Sequence, residues 1–285
     1  MRKFIEESGL HAVVCTHVYT AFIMTKILRQ NSSLLRHYFV TTDYACHRSY
    51  KYIHPDIWFI PDNSLAEEFV RCGVPKERLA VSGIPIQKEF SRAEDKAAAK
   101  QKAGISYYTS HLMIICDGIG EEKIKVLLKK VASLSWKNFR ISVICGTNQS
   151  LCEKLKQLYI KDDRFNIKGT DFDFAELVES ADLLIMKPET ILVAKAAQKK
   201  IPMIFMEAKT FREQNNQRYF IEKGVAVTAK STKNLAGLAC RFLYYDNQLA
   251  KFKENYRSMP ERNAAEMIVK RIMDDCVKSG EFIFH

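Results

Sequence analysis

Features that define several other protein classes are missing from this sequence. None of its eight cysteines forms a Cys-x-x-Cys pair, and some stand inside apolar segments such as LMIIC and SVIC. This usage is typical of buried, reduced thiols in a cytosolic protein and argues against a disulfide framework or a zinc site. No apolar run reaches the ~18 residues that a membrane-spanning helix needs. The start, MRKFIEESGLH, has acidic residues where a signal peptide would be apolar, so we expect a soluble or peripheral protein.

Glycine is missing from one turn where it would be expected. The stretch DLLIMKPETILVAKAAQKK reads as a buried strand, a sharp turn at Lys187-Pro188 and a helix. In nucleotide-binding α/β domains, such a turn brings phosphates to the N–H groups of a helix start. Glycines usually stand there because only glycine lets the backbone come so close. Here Glu189 and Thr190 occupy those positions, so the turn has the shape of a phosphate site with altered chemistry.

The composition is that of a globular protein with excess positive charge. The 285 residues are 47% hydrophobic and 27% charged, with a formal net charge of +11. This charge favours an anionic partner, such as nucleic acid, a phosphorylated ligand or an acidic membrane surface, although a merely basic surface explains it equally well. The sequence contains no platform of interleaved aromatic and basic residues, so we expect no nucleic-acid binding.

Apolar strands alternate with amphipathic helices along the second half of the chain. The strands read as LMIIC, FRISVIC, RFNIKG, DLLIM, PMIFME and VAVTA. Continuous apolar strands separated by helices indicate a parallel sheet that is covered on both faces. We therefore predict a complete, six-stranded, doubly wound α/β domain over residues 111–230, with Asp117, Lys187 and Glu213 facing one cleft.

The first part of the chain shows the same alternation less completely. HAVVCTH, HYFVTTD, DIWFIPD and RLAVSG read as strands, and RKFIEESG reads as the end of a helix. HAVVCTH resembles a central strand left at a sheet edge, so we expect further βα units before Met1 in a longer version, or a partner that covers this edge. The predicted division is an incomplete Rossmann-like domain (1–90), a linker (91–110), the complete domain (111–230) and C-terminal helices (231–285).

Five segments, in order along the chain, resemble motifs of one enzyme family. The segments are TTDYACHRSYKY, VSGIPIQKEF, VICGTNQSL, ADLLIMKP and REQNNQRYFIEKGVAV. They are similar to segments of the monogalactosyldiacylglycerol synthase and processive diacylglycerol glucosyltransferase family. The resemblance implies a GT-B fold of two Rossmann-like domains, a UDP-sugar donor on the second domain, diacylglycerol or another lipid as acceptor from the first, and neither metal nor further cofactor.

Candidate catalytic residues come from the first of these segments. Asp43 follows an apolar strand, where open α/β sheets bind ligands, and the family pattern places an aspartate here. It is our candidate general base for the acceptor hydroxyl, with turn capping as the alternative. His47 is a candidate for acid–base or acceptor chemistry, with a structural histidine as the alternative.

Candidate donor-binding residues come from the second domain. Gly118 and Gly120 would let the loop after LMIIC approach a diphosphate, and Lys187 could neutralise a phosphate or be an exposed turn lysine. Glu213 and Asn216 stand one helical turn apart and could bind sugar hydroxyls, or form only a solvated helix start.

Several departures from the family pattern oppose donor binding. Besides Glu189 and Thr190, Lys195 stands where the family has a glutamate for the nucleotide ribose, and Arg212 replaces a glutamine. The family's N-terminal glycine-rich loop has no counterpart. A negative charge at a phosphate-facing helix start disfavours an anion.

The sequence therefore predicts hexose transfer from a UDP-sugar to diacylglycerol in glycolipid synthesis, impaired in this chain. We expect a cytoplasmic, peripheral protein at the inner face of the plasma membrane, attracted to its anionic surface. The alternatives are a catalytically inactive homologue acting as a binding or regulatory module, and a glycosyltransferase acting on a cell-wall lipid intermediate.

Overall fold

Two α/β units make up the chain: Met1–Ile86 with Glu261–His285, and Gln87–Pro260. A computed structural model describes residues 2–30, 35–91, 95–134, 138–229, 231–245, 248–257, 259 and 263–278. Each unit is built on one parallel sheet, as the alternation of apolar strands and helices predicts. No disulfide joins the cysteines in these ranges, and most of them are buried.

The first unit contains a four-stranded sheet in the order β1-β2-β3-β4. All four residues of the IWFI strand are buried, as expected for a strand covered on both faces. The edge strand β1 is less covered, and its Val14 is 45% exposed. The elements before residue 87 are α1 (Arg2–Glu7), β1 (Ala12–Cys15), α2 (Val18–Gln30), β2 (Arg36–Val40), β3 (Ile57–Ile60), α3 (Ala66–Arg71) and β4 (Leu79–Val81).

The second unit contains the predicted six-stranded parallel sheet. Its order is β10-β9-β8-β5-β6-β7, so the chain winds outward from β5 in one direction and then returns to β8 to wind in the other. The elements are α4 (Lys88–Ser91), α5 (Lys96–Lys102), β5 (Ser110–Ile115), α6 (Glu121–Ala132), β6 (Phe139–Ile144), α7 (Gln149–Leu158), β7 (Phe165–Lys168), α8 (Phe174–Ser180), β8 (Leu183–Met186), α9 (Thr190–Gln198), β9 (Met203–Phe205), α10 (Phe211–Glu222), β10 (Ala226–Thr228), α11 (Thr232–Cys240) and α12 (Gln248–Arg257).

A buried polar network ties helix α5 to the amino ends of the central strands. The Nζ atom of Lys100 lies 2.7 Å from Oδ2 of Asp182, which also accepts the backbone N–H of His111 at 2.9 Å. The His111 ring lies between two hydroxyls, with Nε2 2.8 Å from Ser142 Oγ and Nδ1 3.0 Å from Ser180 Oγ. This network places α5, which falls within the predicted linker, on the second sheet.

The last helix, α13 (Ala264–Lys278), packs on the first sheet. Ile268 lies in a buried cluster with Tyr38, Val40 and Phe59, and the Tyr38 hydroxyl donates to Asp275 Oδ2 at 2.8 Å. The predicted C-terminal helices therefore divide between the units, since α11 and α12 belong to the second. Within the described ranges, no helix has the length and hydrophobicity to cross a membrane.

Candidate functional site

A cavity of about 470 Å³ lies at the carboxyl ends of the strands of the second sheet. The loop after β5, the turn after β8 and the loops after β9 and β10 form its walls. The strand order reverses between β5 and β8, which is where doubly wound folds bind their ligands. Its lining includes two glycines, three lysines and one carboxylate: Gly118, Gly120, Lys123, Lys187, Lys209 and Glu207.

The two glycines of the loop after β5 lie in different surroundings. Gly118 has φ +65°, and a Cβ there would lie 3.3 Å from Cδ of Lys187, so its backbone conformation and the side chain above it both favour glycine. Gly120 caps helix α6, and a Cβ there would meet no atom within 4 Å. Both predicted glycines therefore lie on the cavity wall, and only Gly120 faces open space.

A buried ion pair joins the turn after β8 to helix α10. Lys187 Nζ lies 3.0 Å from Glu213 Oε1, with the two side chains only 13% and 3% exposed. The second carboxylate oxygen of Glu213 accepts the backbone N–H groups of Lys209 and Thr210, and Thr210 Oγ1 accepts the N–H of Glu213 in return. Burial opposes ionisation of Glu213, but these partners outweigh it and hold its pKa below the usual range.

Asn216 is hydrogen-bonded to the same turn after β8. It is completely buried, and its Nδ2 donates to the Pro188 carbonyl at 2.9 Å and lies 3.0 Å from Thr190 Oγ1. Together, Glu213 and Asn216 fix the loops of the cavity while their own side chains lie beneath its lining. A direct contact of either side chain with a sugar stays a prediction.

Glu189 stands at the start of helix α9, and the pKa of its carboxyl is raised. It occupies the cap position, but its side chain accepts no capping hydrogen bond. Burial, and then the hydrogen bond and charge of Glu213, raise the pKa of Glu189; the charge of Asp117 acts in the same direction and Lys187 opposes it. Acidic groups therefore lie close together at the start of helix α9. Negative charge at a helix start disfavours an anion, in agreement with the weak phosphate binding that the sequence predicts for this turn.

Lys195 is not part of the cavity lining. Its ammonium lies over two aromatic rings, 4.6 Å from the centroid of Phe90 and 5.5 Å from that of Phe174. Burial lowers the pKa of Lys195, and the charge of Glu89 opposes that effect. Lys195, which stands where the family has a glutamate for the nucleotide ribose, thus makes cation–π contacts with helices α4 and α8.

Sequence reasoning missed Lys123, Glu207 and Lys209. Lys123 lies in the first turn of α6, and the other two lie in the loop after strand β9. The carboxyl ends of parallel strands share one edge of a sheet, so a search for charged residues in the loop after each strand would have found Glu207 and Lys209. Lys123 lies in the helix that follows its strand, beyond such a search. By contrast, Glu121 in the same helix turn pairs with Lys125 at 2.7 Å and Lys154 at 3.1 Å.

In the first unit, Asp43 follows strand β2 in a loop that is fixed at both ends. Before it, the N–H and hydroxyl of Thr41 both donate to the Phe59 carbonyl at 2.9 Å. After it, the Tyr50 ring packs in the core, 5.5 Å from the centroid of Trp58. Asp43 itself is half-buried. The loop can therefore hold the carboxylate in a defined position, and its role as general base stays a prediction.

His47 caps the short 3-10 turn Arg48–Tyr52. Its Nδ1 atom accepts the backbone N–H of Ser49 at 3.2 Å and lies 2.6 Å from Ser49 Oγ. Because Nδ1 is an acceptor, the neutral ring carries its proton on Nε2. His47 is thus placed to donate from Nε2, and Asp43 is the better candidate for accepting a proton.

Known proteins are similar to this chain in sequence. Residues 1–86 match the family model of monogalactosyldiacylglycerol (MGDG) synthase. The processive diacylglycerol beta-glucosyltransferase of Staphylococcus carnosus is 27% identical over 244 residues, 85% of this chain and 62% of that protein. Its Bacillus cytotoxicus counterpart is 24% identical over 264 residues, 92% of this chain and 68% of that protein. These matches confirm the predicted resemblance. The chain spans less than two thirds of the length of the Staphylococcus relative.

Solved structures of low sequence identity share the fold. Acinetobacter baumannii MurG has a TM-score of 0.70 at 14% identity, over 96% of this chain and 76% of that chain. UDP-GlcNAc 2-epimerase from Neisseria meningitidis, bound to UDP-GlcNAc, has a TM-score of 0.70 at 13% identity, over 96% and 78%. S. aureus MnaA bound to UDP has a TM-score of 0.68 at 15% identity, over 99% and 79%. The predicted GT-B fold is confirmed.

Proposed function

We propose that this chain binds a UDP-sugar in the cavity of the second unit and transfers its hexose to diacylglycerol or a similar lipid hydroxyl. The observation that carries the proposal is the cavity itself, which lies at the strand-order reversal and is lined by Gly118, Gly120 and three lysines. The names of the relatives support the lipid acceptor. The acidic groups around Glu189 support a weakened hold on the donor.

The proposed chemistry gives each candidate residue a separate role. Asp43 accepts the proton of the lipid hydroxyl, whose oxygen forms a bond to the anomeric carbon of the sugar. The bond from that carbon to the diphosphate oxygen breaks, and UDP leaves with its electron pair. Lysine cations of the cavity stabilise the negative charge that develops on the diphosphate. His47 orients the acceptor by donating from Nε2.

Vesicles that contain diacylglycerol test the transfer and the proposed attraction to anionic membranes together. We expect slow hexose transfer from a UDP-hexose, with vesicle binding that weakens as salt is raised, because exposed charges are screened within about 10 Å at 0.1 M salt. Asp43→Asn should lower the transfer rate by about 100-fold or more while vesicle binding is unchanged.

Two results of this assay would count against parts of the proposal. Equal binding to neutral and anionic vesicles would remove the electrostatic attraction, and unchanged transfer by Asp43→Asn would remove the proposed base. Binding of UDP without any transfer would favour the alternative, an inactive homologue that serves as a binding or regulatory module.

Replacing Glu189 should strengthen donor binding. The Glu189→Gln variant keeps the size of the side chain and removes its charge, which should raise the UDP affinity at pH 8 by about fivefold, or about 1 kcal/mol. The raised pKa keeps Glu189 protonated further up the pH scale than an ordinary glutamate, so the difference between the two proteins should shrink as the pH falls. Calorimetric titration with UDP across pH checks this, and a difference independent of pH would contradict it.

A further inference from the structure

An exposed carboxylate stands where the cations of the cavity meet. Glu207 follows strand β9 and is 70% exposed, and its Oε2 lies 3.0 Å from Lys123 Nζ on helix α6. The hydrogen bond and charge of Lys123, joined by the charges of Lys209 and Lys187, hold the pKa of Glu207 below its usual range. Lysines from three separate segments therefore act on one carboxylate, which marks a position that favours an anion.

Opening the pair between Lys123 and Glu207 costs little. Lys123 is 49% exposed and its partner more so, and ion pairs so open to water contribute little to stability. A diphosphate carries more negative charge than one carboxylate and offers more oxygens for charge-assisted hydrogen bonds. It can therefore displace Glu207 from Lys123.

Two other positive or N–H-bearing parts of the cavity region lie against acidic groups. Lys187 is held by Glu213 and lies across Gly118, which covers that part of the glycine loop. The start of helix α9 carries Glu189 beside Glu213. Lys123 and Lys209 remain on the lining, next to the open space at Gly120.

We propose that the diphosphate of the nucleotide-sugar donor takes the place of Glu207 on Lys123, with Lys209 as its second cation. The proposal rests on the proposed function and names the side chains that recognise the diphosphate in this chain. Glu207 is then an internal competitor of the donor, and Lys123 the residue that exchanges one anion for the other.

Calorimetry with UDP and UMP tests this exchange, because UMP lacks the second phosphate. Lys123→Ala should lower the UDP affinity by about tenfold, the loss expected for one charge-assisted hydrogen bond, and change the UMP affinity much less. Glu207→Gln should raise the UDP affinity by about threefold, since it frees Lys123. The two substitutions should therefore change the UDP affinity in opposite directions, although they remove the two partners of one ion pair. A general loss of stability could not produce that result.

Matched controls come from the same helix. Lys125→Ala removes a lysine that is also ion-paired, 2.7 Å from Glu121, but lies outside the cavity lining. Glu122→Gln removes a carboxylate that is also exposed, at 86% against 70% for Glu207. Both should keep the wild-type ratio of UDP to UMP affinity. UDP binding with that ratio unchanged in Lys123→Ala and in Glu207→Gln would overturn this proposal and leave the proposed function standing. No binding of UDP by any of these proteins would overturn both.

Discussion

Lowering the pH from 7 to 4.5 should reduce the free energy of unfolding of each unit by about 2–3 kcal/mol. Burial lowers the pKa of His37 in the first unit and of His111 in the second to about 4. Both side chains are completely buried, and neither ring nitrogen of His37 has a hydrogen-bond partner among the described residues. The unfolded chain takes up these protons near pH 6.5 and the folded chain only near 4, so stability is complete above pH 6.5 and falls between the two values.

Hydrogen exchange followed by mass spectrometry separates the two units in this test. In His111→Gln, the second unit should lose most of its pH dependence between 7 and 4.5, while the first unit keeps its own. The variant is less stable at every pH, because Ser142 and Ser180 lose their imidazole partner, so the measured quantity is the slope with pH. Stability that stays constant between pH 7 and 4.5 in the wild-type protein would contradict this explanation.

Replacing Glu213 by alanine should destabilise the second unit by about 3 kcal/mol. The substitution removes the carboxylate that Lys187 contacts at 3.0 Å and the acceptor for two N–H groups at the start of α10. A part-buried cation that loses its partner and a helix start that loses its cap both cost stability. Chemical denaturation measures the effect.

Two comparisons interpret that result. Glu213→Gln keeps an oxygen for the helix cap and should lose only part of the stability, whereas Glu207→Ala removes an exposed carboxylate and should leave stability unchanged. If Glu213→Ala unfolds no more easily than the wild-type protein but transfers hexose more slowly, Glu213 contacts the sugar, and its proposed role in fixing the loops is wrong.

The hydrophobic pattern of the sequence predicted the strands because it depends directly on burial. A strand that is covered on both faces appears in the sequence as a continuous apolar run. The segments DIWFIPD and DLLIM contain the strands Ile57–Ile60 and Leu183–Met186, in which every residue is buried. Gly118, Gly120 and Lys187 lie on one cavity because each belongs to a loop or turn after a strand of the same parallel sheet.

The chemistry of the site was harder to predict because it depends on contacts between distant segments. The sequence suggested sugar binding by Glu213 and Asn216. In the structure, Glu213 contacts Lys187, which is 26 residues away, and Asn216 donates to the carbonyl of Pro188, which is 28 residues away. The ion pair of Lys123 with Glu207 joins residues 84 apart. Spacing along the chain carries no information on such pairs, so their roles became visible only once the loops were placed.

The position of helix α13 has a consequence for biosynthesis. Its Ile268 completes a cluster with Tyr38 and Phe59, and Asp275 accepts a hydrogen bond from a tyrosine 237 positions earlier. During translation, the first sheet therefore emerges from the ribosome long before the helix that covers one of its faces. The second unit has all of its strands in one continuous stretch and can fold before synthesis ends. Although it is synthesised first, the amino-terminal unit is the last to acquire its full core.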